Sequence, residues 1–505
     1  ADVFTPVHWP ETQLADWLAE QRPNGGTLAY DPWLHTVSEI AGLREKLTGF
    51  ELVATDNLVD QIWDDQPSPP DAPFSAHALE HAGETHEAKR ARLSEAMKEA
   101  AAVLTLPDSI AWLLNIRGTD IDRNPVPQAF AILHKDGSVD LFAGSGKTSD
   151  ITEHLGPDVR VHDIGGFVDA VAGLQGKILI DKRSCPDIIA DTLEKAKCDV
   201  VQGQDPCIMP KAVKNPTEIA GARTAHERDA VAMVQFLAWL DAEAPEETLT
   251  EIDVVTALEG FRAQTNALRD ISFETICGAG PNGAIVHYRV SKETNRPVKK
   301  GELLLVDSGG QYIDGTTDIT RTIAIGTPTD EQKACYTRVL QGMIAISRIR
   351  FPHGVGGQHL DALARAPLWM AGMDYDHGTG HGVGSYLSVH EGPQGISRRS
   401  DVALKAGMIL SNEPGYYREG AFGIRIENLI VAVDAPALSG GDDRAMLSFE
   451  TLTFVPFDRH LIDVQLLTDA ERDWIDRYHN DTLSLLAQRL DPQTQDWLEK
   501  ACAPL

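Results

Sequence analysis

No Cys-x-x-Cys pair occurs anywhere in the 505 residues, which excludes a thiolate zinc site of the usual spacing. The cysteines, Cys185, Cys198, Cys207, Cys277, Cys335 and Cys502, are few and scattered. They read as free thiols of a reducing compartment, and so as a cytoplasmic protein. No apolar run approaches the roughly 18 residues that a membrane span needs. The opening stretch, ADVFTPVHWPETQLADWL, has neither a basic region nor an apolar core and does not read as a signal peptide. Positive charge is scarce as well: Lys+Arg 45 stand against Asp+Glu 75, a net charge of −30. That balance disfavours nucleic acid and anionic membrane as partners and favours solubility. No internal repeat of fixed period is present.

What the chain does have is apolar residues at 42%, enough for ordinary cores, and length for about three domains at roughly 150 residues each. Residues 1–66 mix a helix over Glu11–Gln21 with a strand at Thr27–Tyr30. The proline-dense segment Asp65–Pro73 reads as a linker. Residues 67–209 alternate helix and strand, with a charged helix at His86–Ala102 and strands at Ala111–Ile116, Ala129–His134, Val139–Gly144 and Lys177–Lys182. This predicts an α/β domain. From Pro210 the pattern changes. Asn215-Pro216-Thr217-Glu218 carries a capping residue, a first-turn proline and a glutamate three residues on. Thr248-Leu249-Thr250-Glu251 predicts a second helix start, Thr329-Asp330-Glu331-Gln332 a third helix to about Arg350, and His359–Ala371 a fourth. Strands are expected at Leu303–Asp307, Asp318–Ile325, Met408–Ser411 and Ile424–Val433. This domain spans 210–460. A helical extension, 461–505, sets Trp474, Ile475, Tyr478, Leu483 and Leu486 on one packing face.

Five residues in that third domain stand out: Asp307, Asp318, His381, Glu413 and Glu427. They lie in LLLVDSGG, TTDITRT, HGTGHGVG, ILSNEPGYY and FGIRIEN. Four carboxylates and an imidazole form a hard, oxygen-rich ligand set. One divalent ion does not need four carboxylates, whereas two ions that share bridging carboxylates do. Ions roughly 3.5–4 Å apart generate hydroxide at neutral pH and polarise a carbonyl. Asp314-Gly315 is a strong hairpin signal, and folding back there would bring Asp307 and Asp318 side by side. Asp307 also ends an apolar run, where an unpaired carboxylate is costly unless something cationic meets it. The glycines around His381 oppose a helix and let backbone approach closely. Arg425 is expected on the same strand face as Glu427, in a charged face kept inside by ion pairing. His377 reads as a substrate or supporting contact.

The stretches AWLLNIRGTDIDRNPVP, KAVKNPTEIAGARTAH, GAGPNGAIVHYR, DSGGQYIDGTTDITRT, DHGTGHGVGSYLSVHEGP and NEPGYYREGAFGIRIEN resemble the Xaa-Pro aminopeptidases of the pita-bread metallopeptidase superfamily, in their long three-domain form. The resemblance implies an α/β fold with a pita-bread catalytic domain behind creatinase-like N-terminal domains, the first of them partial, since Ala1 falls inside it. It implies two divalent ions, Mn²⁺ foremost, with Zn²⁺ or Co²⁺ as alternatives. Asp307 would chelate one ion, His381 and Glu413 the other, and Asp318 and Glu427 would bridge them. Glu413 would be the general base. His287, His377 and His390 would bind substrate and stabilise the tetrahedral intermediate, and Arg425 would position Glu427 or the substrate. The expected substrate is a peptide with proline second, and the expected assembly a homodimer. Two readings compete: a prolidase acting on Xaa-Pro dipeptides, and a non-catalytic pita-bread binding protein.

Overall fold

The computed structural model describes residues 5–9 and 11–505. Part of the signal-peptide reading, at residues 1–4 and 10, lies outside them. The chain divides into two compact units. One comprises Ala1–Ala76, Glu84–Asp120 and Pro127–Cys207; the other comprises His77–Gly83, Ile121–Val126 and Ile208–Leu505. Helix and strand mix in both, as the α/β expectation requires.

The first unit is built on a six-stranded sheet whose middle strands, Ala101–Leu104, Phe130–His134 and Val139–Ala143, pair antiparallel in that order. Their apolar side chains pack with Phe167, Ile178, Ile189 and Leu193 into one core. A separate parallel pair joins Gly26–Tyr30 to Phe50–Ala54. Three expectations need correction. The first helix is Leu14–Gln21, shorter than Glu11–Gln21. The charged helix stops at Ala96, and Ala101–Leu104 is already strand, because AAVL is apolar on both faces while the helix before it is polar. Of the expected strand Ala111–Ile116 only Ile116 is strand, in the short pair Ile116–Arg117 with Ser75–Ala76: the helix Pro107–Leu114 covers the rest, every residue of it from Ser109 on is buried, and Asn115 ends it in the left-handed conformation. A short run buried on all sides carries no period to tell helix from strand, and the first-turn proline was the available signal.

In the second unit the helix Pro216–Glu243 starts as expected, with Asn215 accepting from Thr217 N and Glu218 N. The next helix is Glu251–Ala263, and its capping box joins Thr250 to Asp253, not Thr248 to Glu251. Glu251 is buried instead, accepting from Ala279 N, Asn282 and Tyr288. The helix Asp330–Arg348 buries Tyr336, Val339, Leu340 and Met343 against Leu368, Ile424 and Ile475; each such side chain contributes about 1.5–3 kcal/mol. The fourth helix is Gln358–Trp369. In the tail helix, Asp469–Leu486, Ile475, Tyr478 and Leu486 are buried, with Trp474 and Leu483 partly so.

Two sheets of this unit frame one region. In the first, Leu303–Ser308 lies antiparallel between Ile276–Ala279 and Ile319–Ala324. In the second, strands run in the order Arg350–Pro352, Met446–Thr451, Asn428–Ala435, Ile409–Asn412, Gly380–Gly382, Glu391–Ile396. The expected strand Ile424–Val433 is two strands. Phe422–Arg425 pairs with Gly415–Arg418, and Asn428–Ala435 joins the second sheet. Between them, Glu427 N donates to Thr320 O at 3.1 Å and Glu427 O accepts from Arg321 at 2.6 Å. The chain changes sheet at the residue it must deliver.

Candidate metal and catalytic site

Asp307 and Asp318 arrive as the hairpin predicts. Asp307 faces Thr320 across the ladder, and Asp318 immediately precedes the returning strand. Asp314-Gly315 closes the turn, with Gln311 opposite Thr316 and Tyr312 opposite Gly315. The other three come from the second sheet and its ends: His381 from the strand Gly380–Gly382, Glu413 just after Ile409–Asn412, and Glu427 at the crossing between strands. Gly380 lets the first two strands meet closely, since a Cβ there would lie 2.0 Å from Ser411 O.

The donor atoms converge. One ligating atom from each of Asp318, His381 and Glu427 lies within 4.8 Å of the others. His381 Nδ1 lies 2.9 Å from Gly382 O, which assigns the ring proton to Nδ1 and leaves the Nε2 lone pair facing the site. That Nε2 is 3.5 Å from Asp318 Oδ2 and 3.5 Å from Glu413 Oε1, too far for good hydrogen bonds and repulsive between lone pairs. Asp307 Oδ1 and Glu427 Oε1 are buried without hydrogen-bond partners. Burial, and then the neighbouring carboxylates, push Asp318 and Glu427 well above the ordinary carboxylate range, and burial raises Glu413. Added positive charge would let Asp318, Glu413 and Glu427 ionise together. The donor set therefore fits two divalent cations, as the spacing predicted.

Around this cluster sits a network the sequence reading only partly anticipated. Arg425 is buried and donates to Asp307 Oδ2 at 2.6 Å and to Tyr417 Oη at 2.7 Å. Its ion pair is thus with Asp307, and it reaches Glu427 only through Thr320, donating from Nε to Thr320 Oγ1 at 3.2 Å. Glu427 Oε2 accepts instead from Thr320 Oγ1 at 2.8 Å. Tyr417 donates onward to His377 Nε2 at 2.8 Å, while His377 Nδ1 donates to Gly378 O at 2.8 Å. Burial, then Arg425, hold the His377 pKa down to about 3, so the ring is neutral. Both of its nitrogens are occupied, and it reaches the site through Tyr417. His390 stands edge-on to His381, ring centroids 4.2 Å apart, and burial with His381 lowers its pKa to about 4. His287 is exposed and close enough to act electrostatically on both His377 and His390.

Three residues were missed. Tyr417, Thr320 and Ser411, which donates to Glu413 Oε1 at 2.9 Å, carry no metal-ligand signature. Only their places beside the ligands, in EPGYY, DITRT and LSNE, could have pointed to them. The glycine loop bearing His377 is fixed from behind by Arg365, which donates to His377 O at 2.7 Å and to Asp361 at 2.7 Å, and by Thr379, which donates to Asp361 at 2.6 Å.

Comparison with known proteins bears on this geometry. Residues 220–434 match metallopeptidase family M24, residues 65–218 the creatinase/prolidase N-terminal domain, and residues 445–505 the C-terminal region of peptidase M24. The probable Xaa-Pro aminopeptidase P of Laccaria bicolor is 41% identical over 498 residues, which span 95% of this chain and 77% of that one. Aminopeptidase P2 of Arabidopsis thaliana is 39% identical over 535 residues, 97% and 75% of the two chains. Among solved structures, an X-prolyl aminopeptidase from Caenorhabditis elegans, described as a cytosolic enzyme with a di-nuclear active site, is similar with a TM-score of 0.92. It is 32% identical, over 99% of this chain and 84% of that one. An Xaa-Pro dipeptidase from Bacillus anthracis gives 0.60 at 25% identity, over 74% and 99%.

Proposed function

Because the chain belongs to metallopeptidase family M24, among the Xaa-Pro aminopeptidases P, we propose that it hydrolyses the bond between an N-terminal residue and a proline in second position. The observation that carries this is the His381 Nε2 lone pair facing two carboxylates, with two further carboxylate oxygens partnerless beside it. Asp307, Asp318, His381, Glu413 and Glu427 would hold two divalent ions, Mn²⁺ foremost. When bound, such a pair supplies Lewis acidity toward the peptide carbonyl and an acidified water. Glu413 takes the water's proton: Oε1 is engaged by Ser411, which leaves Oε2 as the acceptor. Glu413 then returns the proton to the departing proline nitrogen. Arg425 orients Asp307 through their 2.6 Å contact. His287 and His390, on the open side, donate to the developing oxyanion. Tyr417, held between Arg425 and His377, fixes the back of that wall.

The same reading divides the chain into 1–66, 67–209, 210–460 and 461–505. It places the protein in the cytoplasm as a homodimer, which sedimentation velocity checks. The site is tested by Mn²⁺-dependent release of arginine from Arg-Pro-Pro, with Arg-Pro and Arg-Ala-Ala as controls. We expect turnover of the tripeptide alone, and its loss in Glu413→Gln. Cleavage of Arg-Pro alone would make the protein a prolidase. Metal binding without any cleavage would make it a binding protein.

A further inference from the structure

Beside the site, a recess of about 450 Å³ opens between Asp122, Arg123, Asn124, Phe273, Arg289 and His390. Its loop wall, Ile121–Val126, is pinned. Arg123 takes the left-handed conformation, φ 65, and its guanidinium donates to Asp270 at 2.7 Å and Glu274 at 3.1 Å. Its carbonyl accepts from Gln311 at 3.2 Å. Asn124 and Ser388 exchange side-chain hydrogen bonds at 3.1 and 3.2 Å. Arg123 is therefore committed to two carboxylates and cannot neutralise an arriving anion. Arg289 is different. It is exposed, follows His287 by two residues, shares the recess with His390, and has no hydrogen bond or ion pair among the described residues. The other uncommitted charge in the recess is Asp122, on the pinned loop.

We propose that Arg289 recognises the C-terminal carboxylate of a short peptide whose reacting bond lies at the carboxylate cluster. The identity of that ligand rests on the aminopeptidase reading. A chain leaving the site past His390 enters this recess. Its terminal carboxylate there meets a guanidinium with nothing else to bind, in a geometry suited to a forked pair. Because the pair is solvent-exposed, its effect is modest and salt-sensitive.

The test uses the full chain supplied with Mn²⁺. Binding of Pro-Pro, Pro-Pro-amide and Pro-Glu-amide is measured calorimetrically, alongside turnover of Arg-Pro-Pro and its amide. We expect Pro-Pro to bind about fivefold more tightly than its amide, with the same gap in KM and none in kcat. Arg289→Gln should erase the gap by weakening the acid alone, and Arg289→Lys should restore part of it. A gap that survives Arg289→Gln, or its absence in the wild type, overturns the proposal. So does Pro-Glu-amide matching Pro-Pro in an Arg289-dependent way, since the site would then read a side-chain carboxylate. The binding arm needs no turnover, so an inactive protein would count against the aminopeptidase reading and leave this result standing.

Discussion

Tyr417 shows how one hydroxyl can serve two neighbours of the carboxylate cluster. It accepts from the buried guanidinium of Arg425 and donates to the neutral ring of His377. In Tyr417→Phe the volume is kept and both bonds are lost. We expect kcat on Arg-Pro-Pro to fall about tenfold while KM moves little. A variant with unchanged kcat and a lowered Tm would make Tyr417 a purely structural residue. A second prediction concerns His479, far from the chemistry. Its Nε2 accepts from Phe457 N at 3.2 Å, and burial pushes its pKa down to about 3 from an ordinary 6.5. The fold holds it neutral, and the unfolded chain protonates it below about pH 6.5. Its contribution is therefore complete above that pH and is lost progressively as pH falls toward about 3. His479→Gln should flatten the decline of Tm between about pH 6.5 and 5; an unchanged slope would assign acid sensitivity elsewhere.

Contrasting glycines make the case at the level of elements. At Gly380 a Cβ would meet Ser411 O at 2.0 Å, backbone against backbone. Gly380→Ala must therefore push the strand Gly380–Gly382 off Ile409–Asn412 and carry His381 with it. We expect Mn²⁺ affinity to drop more than about tenfold with far-UV circular dichroism intact. Gly260, inside the helix Glu251–Ala263, meets nothing within 4 Å, and Gly260→Ala should stabilise by about 0.5–1 kcal/mol in urea titrations. Such strand contacts also mark the limit of what the sequence disclosed. The hairpin at Asp314-Gly315, the capped helix at Asn215 and the five residues proposed as ligands were legible, because turn chemistry, caps and costly buried carboxylates leave local signatures. The helix Pro107–Leu114 was not, since full burial erases its period. Nor was the break at Ile426-Glu427, which exists only because two sheets that are distant in sequence compete for one residue's backbone.

For the molecule as a whole, a net charge of −30 sets four clustered carboxylates inside an already negative field. Chelated protein should melt lower than Mn²⁺-loaded protein, by an increment that grows with free ion concentration. Asp318→Asn should lose most of that increment, and an equal gain in the variant would place the ion elsewhere. The C-terminal region has its own part in this arrangement. Arg321 donates to Glu427 O and Asn428 Oδ1 on one side and to Val455 O and the Tyr478 hydroxyl on the other. Tyr478 lies in the tail helix Asp469–Leu486. Glu427 is thus held in part by a residue some fifty positions downstream. A premature stop codon that removed this helix, and with it the helix Pro492–Ala501 that follows, would strike none of the proposed metal ligands, yet at the level of phenotype it would be an active-site mutation. A protease nibbling from the C-terminus would pass Pro492–Ala501 and then, on reaching Tyr478, silence the protein without cutting near any of the clustered carboxylates.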